Sequence, residues 1–190
     1  MGSVSLGSLG TKTAAAGFDE PLALLQGCHE RIAQRCDLLL RLADHVATHG
    51  PDAEAALAAT GLLRYFRDAG VKHHEDEEQD LFPMLLAAVP AGERGAAAEL
   101  VDALVAEHRV MAAAWAELEA QLALLAQNRA AALPAEQAAR FAALYAEHIV
   151  REEDALLPLA RRVLDAKTLD RLGAAMAARR GVRREPARAR

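Results

Sequence analysis

Two stretches of this chain, FRDAGVKHHEDEEQDLFP at 66–83 and FAALYAEHIVREEDALLP at 141–158, share one pattern. Each runs from a phenylalanine to a histidine seven residues later. Two glutamates begin four after that histidine, and Leu-x-Pro follows. In an α-helix, positions i and i+4 stand one above the other, so His73 pairs with Glu77 and His148 with Glu152. Both pairs sit on otherwise apolar stripes. Phe66, Gly70, Leu81 and Met84 flank the first pair, and Phe141, Tyr145, Ala155 and Leu159 flank the second. Helices of this kind bury their polar pairs, and a fold has to supply a reason for doing so.

A lone histidine precedes each copy, His29 before His73 and His108 before His148. His29 falls in line with Leu22, Leu25, Ile32, Cys36 and Leu39. His108 falls in line with Leu104, Met111, Trp115, Leu118 and Leu122. Breaks at HGPD (49–52), VPAGERG (89–95) and around NRAAALPAE (128–136) divide the chain into helices expected over 19–48, 53–88, 96–127 and 135–164, with a shorter fifth over 167–180. Apolar residues make up 53% of the 190 residues but aromatics only 4%, so the core is mostly Ala and Leu, both strong helix formers. The expectation is an all-α protein: an up-down-up-down four-helix bundle of two similar hairpins with a short fifth C-terminal helix. Its parts are a disordered segment at 1–17, the bundle at 18–165, the short helix at 166–180 and a basic tail at 181–190.

The formal net charge of −5 argues against a nucleic-acid or membrane-surface binder. The N-terminal stretch lacks the basic and apolar regions of a signal peptide, and no run reaches the roughly 18 apolar residues of a membrane helix. Cys28 and Cys36 lie about 12 Å apart along one helix, too far for a disulfide, and read as buried free thiols of a reducing compartment. These features together indicate a cytoplasmic location.

Every long helix thus points a histidine inward, and two add a carboxylate. Left unpaired, such buried charged groups would cost several kcal/mol, and a metal removes that cost. Glu78 and Glu153 are placed to orient an imidazole from behind, while His74, Glu75 and Asp80 are expected on the solvated half of their helix. Antiparallel neighbours bring ligands together only at equal distances from their shared turn. His29 and His73 satisfy this, as do His73 and His108, but His108 and His148 flank the third turn at about 23 and 17 residues, an offset of around 9 Å. Six nitrogen and oxygen donors are too many for one tetrahedral zinc and suit a pair of octahedral irons, with manganese or zinc as substitutes and about two positions left open. A ferritin-like centre needs Glu-x-x-His, and no histidine here has a glutamate three positions before it.

The order His29, His73-x-x-x-Glu77, His108, His148-x-x-x-Glu152, with EE-x-x-L-x-P after each paired histidine, resembles the hemerythrin-like (HHE cation-binding) domain over residues 20–162. The resemblance implies a four-helix bundle around an oxo- or hydroxo-bridged non-haem pair of iron ions, with His29, His73, Glu77, His108, His148 and Glu152 as ligands and the two glutamates bridging. Oxygen-carrying hemerythrins have a second histidine where this chain has Ala112, and an aspartate where it has Glu152. Both departures weigh against simple reversible O₂ carriage. The reading that follows is a protein binding or reducing O₂, hydrogen peroxide or NO in a pocket lined by Phe66, Met111, Trp115 and Phe141, with peroxide or NO turnover as its possible enzymatic activity. The alternatives are a di-iron sensor acting through a redox or signalling partner, and iron storage or delivery. Tyr145, one turn before His148 on the same stripe, is placed to supply a seventh ligand and is explained equally well as a core aromatic, so it stays outside the site.

Overall fold

The computed structural model describes residues 17–129 and 132–183. The disorder expected over 1–17 concerns residues outside this range, Gly17 apart, as does the basic tail from 184 onward.

Helix α1 spans Pro21–His49, with the proline in its first turn, where the missing N–H is not needed. It ends at Gly50, whose φ of 81° turns the chain while its N–H still reaches the Val46 carbonyl at 3.0 Å. Asp52 then caps the next helix by accepting from the Ala55 N–H at 2.8 Å. That helix, α2, runs over 53–88: α-helical Ala53–Tyr65, a π turn at Phe66–Gly70, α-helical Val71–Asp76, a second π turn at Glu77–Leu81, and α-helical Phe82–Ala88. Helix α3 is Arg94–Ala126. Helix α4 comprises Ala135–Arg151, a π turn at Glu152–Leu156 and Leu157–Val163. Helix α5 is Ala166–Arg179, capped by Asp165 on the Thr168 N–H. The described residues contain no strand, and each helix end lies within two residues of its expected place.

Helices α1 and α3 each pack against both α2 and α4, and α5 lies across α1 and α2. The core divides in two. One cluster, including Leu39, Leu62, Phe66, Leu118 and Phe141, fills the end near Gly50. The other, including Leu25, Leu85, Leu104, Leu156 and Met176, fills the end covered by α5. Each fully buried Leu or Phe contributes about 1.5–3 kcal/mol. Between the clusters lies a polar layer in which His29, His73, Glu77, His108, His148 and Glu152 are at most 3% exposed. Cys28 and Cys36 are buried free thiols, and burial pushes the Cys36 thiol up to about 12. Among the described residues no helix is long and apolar enough to cross a membrane.

Helix α5 is tied down by charge. Asp76 is fully buried and accepts from Arg179 and from Arg180, the latter at 2.6 and 3.0 Å. Arg179 also donates to Asp80 at 2.5 Å, so Asp80 belongs to this clamp and not to a freely solvated face. Asp76→Ala leaves both guanidiniums part-buried without their shared acceptor, and urea unfolding should show a loss of about 3 kcal/mol.

Candidate metal centre

The two LxP turns explain how the glutamates are placed. A proline inside a helix removes one N–H and crowds the carbonyl four residues back. Here each proline stands two residues after the end of a π turn that opens at the glutamate. The Phe82 N–H reaches back to the Glu77 carbonyl, and the Leu157 N–H to that of Glu152. The wider turn makes room for Pro83 and Pro158, and because it begins at the glutamate it leaves the His–Glu pair before it on ordinary α-helix. Such turns are frequent at functional sites. The sequence pattern locates the prolines but not the π turns.

The structure brings the six predicted residues together. His73 Nε2 lies 3.3 Å from Glu77 Oε1, and His148 Nε2 lies 3.3 Å from Glu152 Oε1. Across the bundle, His29 Nε2 is 3.0 Å from Glu152 Oε2, His108 Nε2 is 3.6 Å from Glu77 Oε2, and the Nε2 atoms of His108 and His148 are 3.1 Å apart. The donors fall into two groups, each with its ligand atoms within 4.8 Å of one another: His29, His73, Glu77 and Glu152, and Glu77, His108, His148 and Glu152. Both glutamates belong to both groups. The offset expected between His108 and His148 is absent, their Nε2 atoms being 3.1 Å apart: α3 runs on to Ala126 and α4 starts only at Ala135, with Asn128 at φ 55° just beyond the end of α3.

Three of the four imidazoles are held from behind by carboxylates. His29 Nδ1 lies 3.0 Å from Glu153, His108 Nδ1 lies 2.6 Å from Glu78, and His148 Nδ1 lies 2.8 Å from Glu107. An Nδ1–H donated outward fixes the tautomer that aims the Nε2 lone pair inward. Glu78 and Glu153 act as expected from sequence. Glu107, itself held by Arg151 at 2.7 Å, was not anticipated, because it serves a histidine on another helix rather than its neighbour His108.

Charge in this layer is unbalanced. Burial, with the Glu152 charge beside it, pushes the Glu77 carboxyl well above the usual range. Burial also opposes ionisation of Glu152, but the His148, His29 and His73 imidazoles around it prevail and hold its carboxyl well below that range. Two carboxylates this close do not both ionise unaided. Burial lowers His73 well below its ordinary value and His108 to about 4, so both present neutral nitrogens. His29 Nε2, both nitrogens of His73, Glu77 Oε2 and both oxygens of Glu152 are buried without a hydrogen bond. Unsatisfied inward donors flanking a shared pair of carboxylates fit a bound cation.

One expectation about neighbouring residues needs adjustment. His74 is not on the solvated half of α2: its ring stacks on His108, with centroids 3.9 Å apart and planes 9° apart, and burial takes it down to about 3. Tyr145 is a core aromatic, packed on Phe66 and Phe141 at 5.8 and 5.1 Å. The anticipated apolar lining exists as a cluster, with the Phe66 ring 4.8 Å from Trp115 and 5.1 Å from Phe141, and Met111 buried beside them.

Comparison with known proteins agrees with this arrangement. An uncharacterized protein of Haemophilus influenzae is 31% identical over 168 residues, spanning 88% of this chain and 94% of its own. The model of the hemerythrin HHE cation binding domain matches residues 20–160, which include all six donors and both LxP turns, and the chain belongs to that family.

Proposed function

We propose that this protein holds a pair of iron ions in an up-down-up-down bundle and uses them to bind or reduce a small oxidant. His29 and His73 would hold one ion, His108 and His148 the other, and Glu77 and Glu152 would be shared by both. The observation that carries this reading is the membership of both glutamates in both donor groups, which suits two adjacent cations better than one. Imidazole and carboxylate donors together favour iron. An iron pair supplies electrons and open coordination positions for O₂, hydrogen peroxide or NO.

The chain's own contributions are positional. Glu153, Glu78 and Glu107 hold three imidazoles in the tautomer that faces the ions. The cluster of Phe66, Met111, Trp115 and Phe141 keeps one side of the layer dry, which limits competition from water. Donors at most 3% exposed favour retained metal over release, and so favour oxidant handling over iron storage or delivery.

Protein purified from iron-supplemented cells should contain about two irons per chain, set by the two donor groups, and absorb in the near ultraviolet. It should consume hydrogen peroxide or bind NO with a change in that absorption, and keep its iron through dialysis against a mild chelator. Rapid loss of the metal without turnover would instead identify a store, and stable metal indifferent to all three oxidants would remove the proposed chemistry.

A further inference from the structure

We infer that His74 is an additional nitrogen ligand of the ion on the His108–His148 side; this rests on the two-ion reading above. Successive residues on a helix point about 100° apart, so a single inward stripe has room for His73 and sends His74 outward. The structure instead turns both to the centre, each toward a different group of donors. A ring nitrogen of His74 lies within 4.8 Å of one from His108 and one from His148, while His73 belongs with His29. The pair His73–His74 thus reaches both halves of the site from one turn of α2.

Stacking alone does not account for His74. Its Nε2 is buried and has no hydrogen-bond partner. A buried nitrogen without a partner is unfavourable, and a phenylalanine or leucine stacked in the same place would avoid that cost. The ring already lies nearly parallel to that of His108 and 6.1 Å from that of His148. A cation between those two imidazoles would give the nitrogen the partner it lacks. Glu77, His108, His148 and Glu152 offer that ion one donor atom each, and an octahedral iron has room for more. With His74 bound, the two ions become unequal. The His29–His73 side would then offer fewer protein donors to its ion than the His74–His108–His148 side.

The count of bound imidazoles tests this directly. Each histidine bound to high-spin cobalt(II) shows its own strongly shifted ring-proton signals. The full chain loaded with cobalt(II) should show five such sets, from His29, His73, His74, His108 and His148. His74→Ala should lack one set, that of His74, while the sets of His29 and His73 remain. Should that substitution prevent folding, His74→Phe keeps the stacked ring and should lose the same set. Four sets in the unaltered protein at full loading would overturn the assignment. Fewer than two cobalt ions per chain in the unaltered protein would instead sink the two-ion reading and this inference with it.

Discussion

Glu152→Ala is expected to purify with almost no iron, whereas His29→Ala keeps close to half the wild-type content. The difference follows from how the donors are shared. His29 belongs to one donor group, while Glu152 and Glu77 belong to both. Removing a histidine takes one of four nearby protein donors from one ion and leaves the other group intact. Removing Glu152 takes from each ion a negatively charged donor, in a layer too buried for water to replace it. Each lost charged ligand weakens binding by several kcal/mol, or more than about a hundredfold per ion. Metal analysis of desalted protein reads the result, and circular dichroism confirms that the helices persist. Glu152→Gln separates charge from shape: it preserves volume, and it should lose iron nearly as fully as the alanine variant. His29→Ala and His73→Ala should resemble one another, as should His108→Ala and His148→Ala. A Glu152→Ala protein still holding one firmly bound ion would show that the glutamate serves a single site.

The helices and six donors were legible because both obey the 3.6-residue period. Stripes through Leu22, His29 and Leu39, or through Leu104, His108 and Leu118, carry the histidines inward with the leucines, and the structure buries all of them. The residues misjudged are those where the chain departs from an ideal helix or where the partner lies on a different one. Three π turns interrupt the regular period, two in α2 and one in α4, and one of them, Phe66–Gly70, lies between the first apolar turns of α2 and its histidines. A stripe drawn at constant period through that turn puts His74 in solvent. Glu107 and Asp76 escape for the second reason. Their partners, His148 and the Arg179–Arg180 pair, are distant in sequence, and nothing local distinguishes a surface acid from one that reaches another helix. The offset between His108 and His148 had a third cause. It assumed that the helices meet at a tight turn, and the link at 127–134 is longer than that.

Removing the metal should lower the melting temperature by about 8 °C or more, and Glu77→Leu should recover part of that loss without any metal. A ligand that binds only the folded state stabilises it by RT ln(1 + [L]/Kd), about 4 kcal/mol at a thousandfold excess over Kd. For a chain of this size each kcal/mol moves the midpoint by about 2–4 °C, so even one such ion accounts for roughly 8–16 °C. The shared glutamates couple the two ions, so their effects do not simply add. The metal-free layer is the costly state. It buries His29, His73, Glu77 and Glu152 with ligand atoms that have no hydrogen bond, at about 1–3 kcal/mol for each such atom. Leucine at position 77 removes one of those carboxyls, and Glu77 is the one that burial already keeps from ionising, so no ionised partner is stranded by the change. Replacement of buried ionisable groups by apolar residues of similar volume is often neutral or stabilising, by up to about 4 kcal/mol. The Glu77→Leu protein should therefore melt above metal-free wild type, below the iron-loaded wild type, and show almost no increment when iron is added. Differential scanning calorimetry of the four samples decides the matter. If metal-free wild type melts as high as the loaded form, the polar layer is satisfied by its own side chains, and the physical reason for placing ions there is gone.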